Sequence, residues 1–204
     1  MKNKAVIFDL YDTLIFLGQN RDPCKKLFFD LGLDHKKMQW ARNIALTQDF
    51  KNLTELTKKV APNSSINLKP YEDNLAQDLA TATLFPETVS TLQILKSKGV
   101  KIGMISNASS EYMVPFFKLG LDKLVDKYVM SCQVGHKKPE AKIYEIALNM
   151  LGTKPQETIM TGDSARCDVY GPQAVGMEAM LLDRKGTSSM KLKISTLDEI
   201  ILYL

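Results

Sequence analysis

Cysteine is scarce: Cys24, Cys132 and Cys167 are the whole supply. They are odd in number and none stands in a CxxC pair, which suits a reducing compartment better than a disulfide scaffold. Long apolar runs are missing too, and no stretch approaches the roughly 18 residues needed to cross a bilayer. The run Ala5-Val6-Ile7-Phe8 behind Met1-Lys2-Asn3-Lys4 is too short for the core of a secretory signal, and Asp9 ends it. A cytoplasmic protein without membrane partners is therefore expected. A surplus of charge of one sign is also lacking. The net charge is +4, and the basic residues are scattered without a run, so nucleic acid is not an expected partner. What remains is an ordinary globular composition, with 45% hydrophobic and 25% charged residues among 204. That length supports one sizeable core, or a core with a small inserted domain. Methionines at apolar positions such as Met104, Met130, Met150 and Met180 read as core filler.

Ala5 to Phe8 is a continuous apolar run and reads as a strand buried on both faces. Val100 to Ile105, Tyr128 to Ser131, Thr158 to Thr161 and Ala179 to Leu182 are similar. Helical patterns separate them. Glu87 to Lys98 carries Val89, Leu92 and Leu95 on one face and stops at Gly99; Lys142 to Leu151 stops at Gly152. This alternation predicts a doubly wound parallel α/β sheet. From Phe16 to Leu84 the pattern changes: Met38 to Leu46, Leu53 to Val60 and Tyr71 to Thr83 read as helices, and no convincing strand is present. Leu197 to Leu204 is apolar at helical spacing and is expected to pack on the sheet.

Parallel sheets place their sites at the carboxyl ends of strands. Here those ends carry Asp9 and Thr13, Ser106 and Asn107, Lys138, and Asp163 and Asp168. Singly, each such residue is common in caps and turns. Together they would converge on one crevice.

These residues, as Phe8-Asp9-Leu10-Tyr11-Asp12-Thr13-Leu14, Ile105-Ser106-Asn107, Gly135-His136-Lys137-Lys138-Pro139 and Gly162-Asp163-Ser164 through Asp168, resemble the haloacid dehalogenase superfamily in order and spacing. The likeness is to its subfamily IA, with a small helical cap. It implies a Rossmann-like catalytic core from 1–15 and 85–204 and a helical cap from 16–84. It also implies Asp9 as a nucleophile that forms an aspartyl-phosphate. Mg²⁺ would be held by Asp9, the Tyr11 backbone carbonyl and Asp163, with Asp168 behind them. Ser106 would bind phosphate oxygens, Lys138 would offset the negative charge, and Thr13 would position the nucleophile. Lys138 is preferred over Lys137 because the family lysine directly precedes the proline. Arg42 is the expected cap contact for an anionic substrate, against the plainer reading of an exposed arginine with Trp40 packing the cap. Asn107 is expected to touch ligand or the nucleophile loop, or to cap the next helix. His35 and His136 read as surface residues.

One position departs from the pattern. Family phosphatases usually carry a second Asp two residues after the nucleophile, as general acid and base, and a Gly after it. This chain has Tyr11 and Asp12 there. A general acid/base contributes about 10²–10⁴-fold in rate. Tyr at that place, and Tyr144 after Lys138, resemble the metal-free 2-haloacid dehalogenases, but those enzymes lose the acid that stands here as Asp163. The expectation is a Mg²⁺-dependent phosphatase of a small phosphorylated metabolite, acting as a monomer or homodimer. The alternatives are a dehalogenase-like enzyme or a regulatory protein that binds without much turnover.

Overall fold

The computed structural model describes residues 3–19 and 22–204. Met1 and Lys2 of the N-terminal segment, and Asn20 and Arg21 of the 16–84 segment, lie outside the described residues. The strands are β1 (Ala5–Phe8), β2 (Ile15–Leu17), β3 (Ala82–Leu84), β4 (Lys101–Ser106), β5 (Lys127–Met130), β6 (Thr158–Gly162), β7 (Glu178–Leu182) and β8 (Lys193–Ile194). The helices are α1 (Pro23–Asp30), α2 (His35–Thr47), α3 (Leu53–Val60), α4 (Lys69–Ala80), α5 (Thr88–Ser97), α6 (Val114–Lys118), α7 (Ser131–Val134), α8 (Ala141–Leu151) and α9 (Gly171–Ala174).

The main sheet has six strands in the order β5-β4-β1-β6-β7-β8. Every pairing in it is parallel. Successive side chains of a strand face opposite ways. Accordingly Val6 and Phe8 enter one apolar cluster with Leu92, Leu95 and Ile200, while Ile7 enters another with Ile143, Ala147 and Leu151. Both faces are covered, which is why β1 reads as an unbroken apolar run. The result is the doubly wound, Rossmann-like α/β fold expected. β1 sits between β4 and β6, so chain order runs outward in both directions from it, and the crevice at its carboxyl end is the topological switch point.

Helices α1 to α4 build a separate apolar cluster around Leu27, Phe28, Ile44, Leu53, Leu56 and Leu75. Asp34 and Asn52 cap α2 and α3 by accepting from the N–H groups of Lys37 and Glu55. The segment from Phe16 to Leu84 is not free of strands, however. β2 and β3 pair antiparallel, Ile15 opposite Leu84 and Leu17 opposite Ala82, and form a ribbon where the helical segment leaves and rejoins the sheet. The helix expected over 71–83 ends at Ala80 because its last residues belong to β3. β8 was also not anticipated; two residues are too short for any periodicity. The C-terminal element is a tight 3₁₀ helix, Leu197–Tyr203, with Leu197 and Ile200 buried and Leu202 81% exposed. Of the methionines read as core filler, Met104 and Met130 are fully buried but Met150 is 45% exposed.

Candidate active site

Asp9 is the first residue past β1, and its N–H donates to the Thr161 carbonyl at 3.0 Å, so β6 fixes where it stands. The chain then turns tightly: Leu14 and Ile15 N–H groups both donate to the Leu10 carbonyl, and Asp12 N–H donates to Ile15 at 2.7 Å. Asp12 sits in the left-handed region at φ 59°, a conformation that Asp tolerates better than most side chains and Gly adopts freely. Thr13 is fully buried, and its hydroxyl donates to Asp9 Oδ2 at 3.4 Å. Ser106, also buried, ends β4, the strand paired with β1.

Lys138 is 3% exposed and reaches in from the loop after α7. Its ammonium donates to Asp9 Oδ1 at 2.5 Å and to Asp168 Oδ1 at 2.7 Å. The Lys138-Pro139 peptide bond is cis. Asp163, Asp168 and Asp9 each offer a carboxylate oxygen, and those oxygens lie within 4.8 Å of one another. Asp168 is fully buried and held by the Ser164 N–H, which donates to Oδ2 at 3.0 Å. The loop that presents it, Ala165–Tyr170, is a π-helical turn, a geometry often found at functional sites. Gly162 is required here: a Cβ would stand 2.7 Å from the Asp9 Cβ and closer still to the Asp168 carboxylate.

Three carboxylates around one ammonium leave an excess of negative charge. Burial pushes the Asp9 carboxyl upward, Lys138 opposes that, and Asp168 adds to it. Asp163 rises to about 6, through partial withdrawal from water and then the charges of Asp168 and Asp12. Burial would strip Lys138 of its proton, but Asp9 and Asp168 together outweigh that and hold it protonated.

The side chains around this cluster are held by specific partners. The Asn107 side chain does not cap the next helix, although it lines the cavity beside the cluster. Its Nδ2 donates to the Lys138 carbonyl at 2.8 Å and its Oδ1 accepts from the Lys138 N–H at 2.7 Å, so the amide clamps the lysine's backbone. Lys137, the adjacent alternative, points to the helical segment and donates to Asn43 Oδ1 at 2.5 Å. Tyr11 directs its hydroxyl away from the carboxylates and donates to the Tyr112 carbonyl at 2.7 Å, with the two rings edge to face. Tyr144 is fully buried, and its hydroxyl donates to the Cys167 carbonyl behind Asp168. Arg42 is exposed and lines a cavity of about 440 Å³ between α2 and the sheet, with Tyr11, Asp12, Asn107, Ser109 and Tyr112. Trp40 is 44% exposed and does not fill the interior of the helical segment. His136 is exposed as expected, though its ring lies 3.3 Å from Glu140. Sequence reasoning missed Arg184. It donates to Glu87 at 2.6 Å and to the Thr13 carbonyl at 3.0 Å, and its guanidinium stacks 3.6 Å over Phe85.

A buried carboxylate, a buried lysine and two further acids at one strand crevice are a set that could hold a divalent cation and could support covalent transfer of a group to a carboxylate. A family model described as haloacid dehalogenase-like hydrolase matches residues 3–176. The chain belongs to that family of hydrolases. Among its relatives, the glyceraldehyde 3-phosphate phosphatase of Methanothermobacter thermautotrophicus is 32% identical over 199 residues, spanning 91% of this chain and 88% of the relative. The (S)-2-haloacid dehalogenase 4A of Burkholderia cepacia is 24% identical, spanning 97% of this chain and 93% of that one. A solved phosphatase of the family from Thermococcus onnurineus superposes with a TM-score of 0.70 at 25% identity, over 98% of this chain and 97% of the other.

Proposed function

We propose that this hydrolase is a Mg²⁺-dependent phosphatase of small phosphorylated metabolites. The observation that carries the reading is the Asp9, Asp163 and Asp168 triad, whose ligand oxygens lie within 4.8 Å of one another with Lys138 as the cation bonded to two of them. Hard oxygen donors crowded beyond what one ammonium neutralises fit a Mg²⁺ ion, and Asp9, Asp163 and the Tyr11 carbonyl would hold it, with Asp168 supporting from behind. The ion would supply charge neutralisation for an anionic phosphate beside an anionic nucleophile. The remaining work belongs to the chain. Asp9 attacks phosphorus and becomes an aspartyl-phosphate, Thr13 fixes its second oxygen, Ser106 donates to phosphate oxygens, and Lys138 stays protonated against the accumulating charge. Residues 16–84 act as a cap over the 1–15 and 85–204 core, and Arg42 meets the substrate's far end across the cavity. Among the described residues no helix is long and apolar enough to cross a membrane. We place the enzyme in the cytoplasm, as a monomer or homodimer acting on a soluble substrate.

The test is phosphate release from p-nitrophenyl phosphate, with Mg²⁺ and with chelator, for wild type and Asp9→Asn. Metal-dependent turnover lost in the variant is the expected result. Turnover that persists in Asp9→Asn would falsify the covalent assignment. A dehalogenase is the second reading, favoured by Tyr11 and by the Burkholderia relative. It calls for halide release from 2-haloacids without metal. Against it stand the acidic cluster and the Tyr144 hydroxyl, which is buried and bonded to the Cys167 carbonyl. A protein inactive in both assays would be a binding or regulatory member of the family.

A further inference from the structure

From the fixed position of Tyr11 we infer that the enzyme favours phosphates whose leaving group departs unprotonated: acyl phosphates, phosphoanhydrides and aryl or enol phosphates, rather than alkyl esters. This rests on phosphoryl transfer to Asp9, as proposed above.

In the first step an Asp9 oxygen bonds to phosphorus while the bond from phosphorus to the leaving oxygen breaks. The electron pair goes to that oxygen. An alkoxide is too basic to leave without a proton, and a placed acid is worth about 10²–10⁴-fold. A carboxylate, a phosphate or a nitrophenolate leaves without one. The question is therefore which group beside the nucleophile could give the proton. Tyr11 stands two residues after Asp9, but its hydroxyl donates to the Tyr112 carbonyl and its ring is packed on the Tyr112 ring. Asn107, on the same cavity, has both ends of its amide on the Lys138 backbone. Arg42 donates hydrogen bonds but does not release protons. Asp22 lines the cavity as well, and its Oδ1 accepts from the Lys25 N–H as the cap of α1. Asp12 is the other carboxyl among the described residues lining the cavity. It is exposed and also borders a second cavity with Asp163 and Arg184, so the Asp12→Asn variant is the test of whether it gives the proton.

The second step lacks the same helper. Water attacks phosphorus, the bond to Asp9 breaks, the electron pair returns to the Asp9 carboxylate, and the water's proton goes to bulk solvent. With no placed base, hydrolysis of the aspartyl-phosphate lags behind its formation whenever the leaving group is good. The phosphorylated chain then accumulates.

The experiment compares kcat/KM for acetyl phosphate, p-nitrophenyl phosphate, phenyl phosphate and glycerol 3-phosphate, using the full chain with Mg²⁺. Wild type is expected to lose about 10²-fold or more between p-nitrophenyl and glycerol phosphates. Rapid mixing with p-nitrophenyl phosphate is expected to give a burst near one nitrophenolate per chain. Tyr11→Asp should raise the glycerol phosphate rate at least tenfold and the p-nitrophenyl rate much less. Asp12→Asn should keep the wild-type slope. A flat wild-type profile overturns the inference, as does a slope that steepens in Asp12→Asn, because either means that an acid is at work. If Tyr11→Asp does not fold, the wild-type slope and burst decide alone. Turnover of none of the four substrates, with no phosphate on Asp9, overturns the phosphatase reading itself and is distinct from a flat profile.

Discussion

Lys138 is a buried ammonium shared by two buried carboxylates, with side chains 2% exposed for the lysine and 12% and 1% for Asp9 and Asp168. Removing one partner of such a cluster leaves charge with no compensation, which costs about 3–5 kcal/mol. Lys138→Met should therefore lower the unfolding free energy, read from chemical denaturation, by an amount in that range and abolish turnover; an unchanged unfolding free energy would mean that the carboxylates are already neutralised another way. Asn107 acts one step further out. Asn107→Ala leaves the Lys138 N–H and carbonyl without their partners, a loss of about 1–3 kcal/mol. Its signature is a fall in kcat with KM little changed, because the lysine is displaced while the substrate cavity stays open. The candidate site residues are legible where chemistry and position coincide: Asp9 and Asp163 directly follow apolar strands and Ser106 ends one, whereas Lys138 comes from the loop beyond α7. The partners of those residues are not legible. The Asn107 amide reaches a backbone 31 residues away, and the Tyr11 hydroxyl reaches one 101 residues away. No local pattern encodes such distances, so Asn107 reads equally well as a cap or as a ligand contact.

At the scale of elements, the long parallel strands and the helices between them followed from apolar periodicity, because both faces of the sheet are buried. The ribbon of β2 and β3 did not. Each of its strands has three residues, with mixed burial, and is defined by its pairing across the helical segment rather than by any repeat of its own. Its anchoring is nevertheless specific. Phe85 N–H and the Thr88 hydroxyl both donate to the Leu14 carbonyl, at 3.2 and 3.0 Å. Arg184, from the end of β7, ties Glu87 at the start of α5 to the Thr13 carbonyl. One guanidinium thus couples the turn that follows Asp9 to the stem of the helical segment. Arg184→Met keeps much of the packing on Phe85 but loses both bonds. We expect a stability loss of about 1–3 kcal/mol in chemical denaturation. Loosening of the turn should lower kcat more than it raises KM. Equal loss in both would place Arg184 in contact with substrate instead.

For the whole molecule, the acidic crevice would make stability and the proposed metal binding run in opposite directions with pH. Asp163, though exposed at the surface, is raised from its ordinary value to about 6 by partial loss of water around its carboxyl and by the neighbouring carboxylates, and Asp9 is raised as well, chiefly by burial. Between the unfolded carboxyl range, near 4, and about 6, the metal-free native state holds a proton on Asp163 that the unfolded chain has released. Stability therefore falls as pH rises through that window, the reverse of a carboxylate paired in a salt bridge. The proposed Mg²⁺ would compete for the same oxygens and bind only once the protons have gone. The shift in Tm on adding millimolar Mg²⁺ should accordingly be small at pH 5 and several degrees at pH 7.5. Replacing Asp163 by Asn should remove most of the Mg²⁺-dependent shift at the higher pH and flatten the metal-free decline below about pH 6. Thermal denaturation at both pH values, with and without Mg²⁺, measures this directly. A Mg²⁺ shift as large at pH 5 as at pH 7.5 would place the ion away from the Asp9, Asp163 and Asp168 cluster. The metal-dependent chemistry would then lose its structural basis, since these are the acids that β1 and β6 bring to the switch point of the sheet.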